Sequence, residues 1–266
     1  MDNAGVFQLA AAGIFGLLIG SFLNVCIYRV PRDLSIVFPR SFCPQCDKQI
    51  GWRHNIPLVS YAVLHGRCAS CAARIGVRYP LVELSTALLF ALVVARYGWT
   101  LAGLKWAIFE SLAIVLFWTD MEDRILPDEF TIGGAIAGLA IALFVPLRGP
   151  VLEHVLASIG VPWRSLLGAI VGCVLLALPM WAVGAFYRTI RKREGLGLGD
   201  VKLLALIGSF LGFESGILAL MIGAASGSII GLGYIWWTRQ NASTYQLPFG
   251  SFLCLGAAIV PLVSSL

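Results

Sequence analysis

Residues 6–28 read VFQLAAAGIFGLLIGSFLNVCIY, and no charged side chain interrupts them. A helix needs about 20 mostly apolar residues to cross the hydrocarbon core of a bilayer. The stretch meets that length and therefore predicts a membrane-spanning helix near the start of the chain.

The composition of the whole chain agrees with this first stretch. Of 266 residues, 59% are hydrophobic and 12% are charged, and the mean hydropathy is +0.86. Soluble proteins contain about 45–50% apolar and about 25% charged residues. Because so few charges cannot cover a water-facing surface, the composition excludes a soluble enzyme and a disordered protein. The apolar composition leads us to expect membrane lipids around the chain. The net charge of +5 is small, so we expect no nucleic-acid partner.

Seven further apolar segments follow the first. They are residues 80–97, 101–119, 130–147, 163–187, 201–213, 217–237 and 251–266. The segment 201–213 is short for a full span, and we expect it to be tilted or partly sunk between its neighbours. The pattern predicts an all-α polytopic membrane protein with about eight transmembrane helices.

The basic residues predict the orientation of these helices, because cytoplasmic loops collect Lys and Arg. With the N-terminus outside the cytoplasm, fifteen basic residues lie inside and four lie outside. The inside set is Arg29, Arg32, Arg40, Lys48, Arg53, Arg67, Arg74, Arg78, Arg124, Arg188, Arg191, Lys192, Arg193, Lys202 and Arg239, and the outside set is Arg96, Lys105, Arg148 and Arg164. The polar segment 29–79 is therefore predicted to be cytoplasmic.

Four of the seven cysteines form two pairs within this polar segment. Cys43 and Cys46 are separated by two residues, as are Cys68 and Cys71, and 21 residues lie between the pairs. This spacing is typical of a zinc ribbon, with one tetrahedral ion held by four thiolates. Two disulfides or four unrelated thiols are the alternatives, and a reducing cytoplasm disfavours the disulfides. A four-thiolate site is coordinatively closed, so the predicted zinc is structural.

Two aspartates stand out at predicted helix ends on the cytoplasmic side. Asp120 follows the third apolar segment, and Asp200 lies in the stretch GLGLGDVK of residues 195–202, which leads into the sixth. Two carboxylates brought together there could share a proton and activate a water molecule, as in an aspartic protease. The alternatives are a solvated helix-end residue at Asp120 and an N-cap at Asp200.

Motifs occur in ordered blocks over nearly the whole chain. The blocks are residues 20–31 (GSFLNVCIYRVP), the two cysteine pairs with Asn55, Ile56 and Pro57 between them, residues 78–84 (RYPLVEL), Asp120 with Pro127 and Asp128, residues 197–204 (GLGDVKLL) and residues 247–250 (LPFG). In these blocks the chain resembles the type IV prepilin peptidases, which are bacterial inner-membrane enzymes. Ser251 stands where a proline is common in the family, a difference that we expect to affect a turn rather than chemistry.

The resemblance implies an intramembrane aspartic endopeptidase with Asp120 and Asp200 as its catalytic pair. Its substrate would be the N-terminal segment of a type IV prepilin or type II secretion pseudopilin, with a short basic leader ending in Gly. It further implies N-methylation of the new N-terminus from S-adenosylmethionine, for which the sequence identifies no binding residues.

The domains expected are a first transmembrane helix (1–28), a cytoplasmic four-cysteine zinc domain (29–79) and a transmembrane aspartyl peptidase bundle (80–266). We expect a multi-pass protein of the bacterial inner membrane, with a periplasmic N-terminus and with the zinc domain and both aspartates on the cytoplasmic side. The alternative function is a transporter that uses the same carboxylates as a proton relay.

Overall fold

A computed structural model describes residues 3–147, 149, 154–155, 157–191, 197–239 and 247–263. Those residues form the α-helices α1 (Asn3–Arg29), α2 (Val59–Val63), α3 (Arg78–Tyr97), α4 (Leu101–Asp123), α5 (Asp128–Ala142), α6 (Val161–Arg191), α7 (Leu198–Thr238) and α8 (Phe249–Val263). Short 3-10 turns follow α1 at Val30–Arg32 and precede α2 at Trp52–His54. β pairing in the described residues consists of two isolated bridges.

The all-α, multi-pass prediction is confirmed. Each apolar segment predicted from the sequence lies mainly within a helix of the described residues. Five of these helices, α1, α3, α4, α6 and α7, are long and apolar enough to cross a membrane. The helices α5 and α8, with 15 residues each, are shorter than a full span.

The sixth and seventh predicted segments join into the single helix α7, which is interrupted at Gly212. This residue has φ 74° and ψ −175°, a conformation that an L side chain rarely adopts. The break lies inside the predicted segment 201–213. The sequence thus identified two apolar pieces correctly but placed their junction a few residues too late.

Contacts divide the chain into two compact units, Met1–Val115 and Leu116–Leu266. In the first unit α1 packs closely on α3, because Gly20 leaves room for the α3 backbone. A Cβ added to Gly20 would lie 2.8 Å from the Cα of Glu83. Small residues allow this kind of close helix packing inside membranes. The predicted domain division at residues 28 and 79 stays a prediction.

In the second unit α7 packs against α5, α6 and α8. The contact with α6 depends on two facing glycines, Gly172 and Gly208. A Cβ on Gly172 would lie 2.6 Å from the carbonyl oxygen of Gly208. Such a distance is too short for any van der Waals contact, so the two helices meet backbone to backbone.

Replacing Gly208 by Ala is therefore expected to destabilise the protein by about 1–3 kcal/mol, the usual cost of overpacking. The matched control is Gly233→Ala on the same helix, because a Cβ there meets nothing within 4 Å. The control should be neutral or slightly stabilising, since Ala has the higher helix propensity. Thermal unfolding in detergent measures both variants, and equal melting temperatures would contradict the packing described here.

Candidate active site

Asp120 lies in the last turn of α4, and its side chain is 6% exposed. The helix ends just beyond it because Arg124 adopts a left-handed conformation, with φ 55°. The N–H of Arg124 then donates to the carbonyl oxygen of Asp120 at 3.1 Å. The alternative of a solvated helix-end residue is wrong, since the carboxylate is turned into the protein.

Asp200 lies in the first turn of α7 and is half-buried. The N-cap residue is Gly197, which has extended backbone angles. The N–H of Asp200 donates to the carbonyl oxygen of Gly197 at 3.2 Å. The N-cap alternative for Asp200 is therefore wrong as well. A carboxylate in the first turn lies at the positive end of the helix dipole, which favours its negative charge.

The structure brings these two side chains, which we call the aspartate pair, into one site. The carboxylate of Asp120 acts electrostatically on that of Asp200. The backbone of α8 comes close to the pair at Gly250, where an added Cβ would lie 3.1 Å from Oδ2 of Asp120. Because no other residue type leaves that space, the start of α8 can form one wall of the site.

Ser251, the next residue along α8, binds Asp120 directly. Its backbone N–H donates to Oδ2 of Asp120 at 2.6 Å, and its hydroxyl lies 2.8 Å from the same oxygen. The hydroxyl is also 3.0 Å from the carbonyl oxygen of Phe117, one turn earlier on α4. The expectation of a turn at Ser251 is wrong, because the residue lies inside α8 and both of its donors reach the carboxylate of Asp120.

Lys202 turns away from the aspartate pair toward α5. Its ammonium forms an ion pair with Oδ1 of Asp128 at 2.6 Å. Both side chains are partly exposed, so the pair contributes little stability. Asp128 is the first residue of α5, and the ion pair joins the starts of α5 and α7 beside the site.

The four cysteines of the two pairs come together in the first unit. The sulfurs of Cys43, Cys46, Cys68 and Cys71 all lie within 4.8 Å of one another, and those of Cys43 and Cys71 are 3.9 Å apart. A tetrahedral zinc ion with Zn–S bonds of about 2.3 Å places its sulfurs about 3.8 Å apart. The geometry of the cluster therefore fits the predicted ion.

The two cysteine pairs share one local structure, offset by 25 residues. Each is closed by an isolated bridge, Phe42 with Gln49 and Arg67 with Arg74. Each also has a left-handed residue directly after its second cysteine, with φ 54° at Asp47 and 58° at Ala72. The sequence showed the spacing but not this shared fold, because the residues around the cysteines differ.

Backbone donors around the second pair favour a thiolate. The N–H groups of Cys71 and Ser70 lower the pKa of the Cys68 thiol to about 7. A thiol whose pKa is lowered in this way is prepared to bind a metal, because the thiolate is the ligand. Burial and hydrogen bonds from the neighbouring cysteines raise the pKa of the Cys71 thiol to about 11, so the sulfur distances alone indicate that the cluster can hold a metal ion.

Comparison with known proteins assigns the chain to a family. Residues 14–97 match the profile described as "Bacterial Peptidase A24 N-terminal domain", and residues 107–232 match the "Type IV leader peptidase family". A prepilin leader peptidase/N-methyltransferase of Pseudomonas putida is 32% identical over 278 residues, covering 96% of this chain and 91% of its own length. The chain belongs to the type IV leader peptidase family.

Two further relatives carry the same name as the Pseudomonas putida protein. The one from Neisseria gonorrhoeae is 36% identical, over 85% of this chain and 80% of its own length. The one from Myxococcus xanthus is 39% identical over 82% of this chain, which spans 61% of that relative. No solved structure matches the chain.

Membership in the type IV leader peptidase family confirms the prediction of an enzyme, an aspartic peptidase. The N-terminal profile includes the four clustered cysteines, and the second profile includes both Asp120 and Asp200. Ser251 lies beyond the end of both matches. Its contact with Asp120 joins residues 131 positions apart, and no spacing rule in the sequence could have found it.

Proposed function

We propose that this chain cleaves the basic leader of type IV prepilins or type II secretion pseudopilins after Gly, at the cytoplasmic face of the bacterial inner membrane. The observation that carries the proposal is the aspartate pair, a buried Asp120 and a half-buried Asp200 that interact electrostatically. The leader peptidase relatives supply the class of substrate, since their names specify prepilins.

The proposed reaction uses the aspartate pair as a proton-sharing dyad. One carboxylate takes a proton from the attacking water while the other donates its proton to the carbonyl oxygen of the scissile bond. The tetrahedral intermediate then collapses, and the leaving nitrogen receives a proton from the dyad. Oδ2 of Asp120 accepts the backbone N–H of Ser251 and lies 2.8 Å from its hydroxyl, so we assign the proton transfers to the other oxygen, Oδ1.

The proposed orientation follows the distribution of basic residues, with fifteen on the cytoplasmic side and four outside. The N-terminus is then periplasmic, and the zinc domain and both aspartates lie on the cytoplasmic side. A prepilin is a membrane helix preceded by a basic leader, so its cleavage site lies at the same depth. The remaining partners are membrane lipids, and we assign no nucleic acid.

A second proposed activity is N-methylation of the new N-terminus. The relatives named above are N-methyltransferases by name as well as peptidases. S-adenosylmethionine would supply an electrophilic methyl group to the free amine. Cys43, Cys46, Cys68 and Cys71 would hold a structural zinc that keeps their segment folded, without a role in bond cleavage.

Purified chain in detergent, a synthetic prepilin segment and S-adenosylmethionine test both activities together. Mass spectrometry should detect loss of the leader and then a gain of one methyl group on the new N-terminus. Without S-adenosylmethionine, cleavage should continue and the methyl group should be missing. An intact peptide after prolonged incubation would contradict the proposal. No observation favours the transporter alternative.

Ser251 is proposed as a positioning residue for Asp120. Ser251→Ala removes the hydroxyl but keeps the backbone N–H, and we expect kcat for leader cleavage to fall about ten-fold with KM unchanged. A hydrogen bond to a charged group contributes about 1.5–3 kcal/mol, which corresponds to such a factor or more. Ser251→Thr, which keeps a hydroxyl, should restore part of the lost rate.

The matched control for Ser251→Ala is Ser226→Ala on α7. The Ser226 hydroxyl donates to the carbonyl oxygen of Gly223 within its own helix. Its loss should leave both kinetic constants unchanged. If Ser251→Ala cleaves at the wild-type rate, the positioning role is wrong. It is also wrong if the variant is partly unfolded at the assay temperature and this loss of folded protein accounts for the lower kcat.

A further inference from the structure

Two adjoining cavities of the first unit take no part in the proposed peptidase chemistry. The first has a volume of about 260 Å³ and is lined by the end of α1, the start of α3 and the cysteine segment, residues 29–79. The second has a volume of about 320 Å³ and reaches Leu18 on α1, which is 57% exposed. Four residues line both cavities, namely Ser41, Ile50, Asn55 and Ile56. The two cavities are therefore neighbouring parts of one site.

Arg29, the last residue of α1, places a buried cation at the first cavity. The residue is 4% exposed, and its guanidinium donates to the carbonyl oxygens of Ser35 at 2.7 Å, Pro39 at 2.8 Å and Arg40 at 3.4 Å. All three acceptors are neutral, and Arg29 forms no ion pair within the part of the chain that the structure describes. Because buried charges in proteins are usually paired with an opposite charge, Arg29 favours an anionic ligand.

The other charged side chains of the first cavity have different tasks. Lys48 and Arg74 are exposed and follow the two cysteine pairs closely in sequence, where they can offset the negative charge of a zinc–thiolate cluster. Glu83, the one carboxylate of the lining, accepts the N–H of Leu58 at 2.8 Å and a hydrogen bond from the side chain of Ser21. Glu83 thus holds the cysteine segment on α3, and the demand for an anion comes from the buried guanidinium.

Asn24 adds an unpartnered acceptor at the same cavity. It is 3% exposed, and its Nδ2 donates to the carbonyl oxygens of Gly20 at 3.3 Å and Tyr79 at 3.0 Å. A flipped amide would place Oδ1 against two carbonyl oxygens, so the orientation is fixed. Oδ1 has no hydrogen-bond partner among the described residues. A buried acceptor in this state favours a ligand with a donor such as a hydroxyl group.

The second cavity connects this polar site with the lipid-facing side of α1. Leu18, Trp52, Ile56 and Pro57 give it an apolar lining. Because α1 is long and apolar enough to cross a membrane, an exposed leucine in its middle faces acyl chains. The end of α1 lies at the membrane surface, which is the depth of lipid headgroups. The combined site therefore fits a ligand with an anionic, hydroxyl-bearing head and a hydrocarbon chain.

We propose that the two cavities bind one anionic glycerophospholipid, for which phosphatidylglycerol is the chemical type. Its phosphate pairs with Arg29, its headgroup hydroxyls donate to Oδ1 of Asn24, and an acyl chain leaves the site past Leu18. The bound lipid holds the cysteine segment against the membrane. This binding goes beyond the proposed peptidase and methyltransferase activities and depends on neither.

Native mass spectrometry of the full-length chain in detergent, titrated with phosphatidylglycerol, tests the site. Arg29→Gln should weaken binding about ten-fold, since a hydrogen bond to a charged group is lost. Arg29→Lys keeps the charge and should lose less. Arg32→Gln is the matched control, because it removes an exposed basic residue from the same end of α1 but lies outside both cavities. It should bind like wild type.

Leu18→Trp tests the path of the acyl chain and leaves Arg29 and its loop contacts unchanged. The larger side chain should obstruct the second cavity and weaken phosphatidylglycerol binding. Its control is Leu88→Trp on α3, which has a similar exposure of 56% and lies outside both cavities. This control should bind like wild type. The pair keeps the test decisive even if Arg29→Gln disturbs the fold of the cysteine segment.

Comparison of ligands identifies the occupant. Phosphatidylglycerol should bind more tightly than the zwitterionic phosphatidylcholine, and an excess of glycerol 3-phosphate, which has no acyl chain, should not displace it. Displacement by glycerol 3-phosphate would show a site for a soluble phosphate and overturn the lipid assignment. Equal affinity for the two lipids would overturn the role of the anion. If wild type, Arg29→Gln and Leu18→Trp all bind phosphatidylglycerol equally, the cavities are not the site.

Discussion

Asp200→Asn is expected to reduce leader cleavage by about a thousand-fold or more, and Asp120→Asn should do the same. An amide cannot take a proton from water or pass one to the leaving nitrogen, so a single replacement disables the pair. Losses of this size are typical when one member of a catalytic unit is removed. Release of the leader from a synthetic prepilin segment, followed by mass spectrometry, measures the effect.

The controls distinguish chemistry from folding. Asp128→Asn removes an exposed carboxylate near the same site and breaks the ion pair with Lys202, which contributes little stability. This variant should cleave at close to the wild-type rate. Both aspartate variants should still methylate a segment that has already been cleaved, because the proposed methyl transfer does not use the aspartate pair. Cleavage at the wild-type rate by either aspartate variant would falsify the proposed dyad.

The helices were predictable because a bilayer imposes a length and an apolar composition on any span. The segment 6–28 illustrates this, since α1 at Asn3–Arg29 contains all of it. The ends of the helices were less predictable. The sequence placed the end of the third segment at Thr119, whereas α4 runs to Asp123 and contains Asp120, whose side chain is buried.

Residue type and spacing singled out the four cysteines and the two aspartates, and the family resemblance supplied the pairing of the aspartates. Ser251 was not predictable, because its role arises from a contact between α4 and α8 across 131 residues. Local patterns thus identified the reactive groups, and long-range contacts decide what surrounds them.

Removal of zinc is expected to unfold the cysteine segment, residues 29–79. This segment contains one helix of five residues, α2, and short 3-10 turns, so it has little core of its own. Structural zinc sites contribute about 10–16 kcal/mol of apparent folding free energy in small domains. Hydrogen exchange of its backbone amides should therefore rise strongly after chelation or in Cys68→Ser.

The same loss should separate the two proposed activities. Methylation should fall more than leader cleavage, because the cysteine segment lies in the first unit and takes no part in the chemistry of the aspartate pair. Cleavage should persist at a reduced rate, since Asp120 and Asp200 lie in the other unit. Cys173→Ser is the control, because that thiol lies on α6 and donates to the carbonyl oxygen of Ala205. Elemental analysis should find about one zinc per chain in wild type and in the control. Metal-free protein that keeps its exchange protection would show that the four thiols have no structural metal.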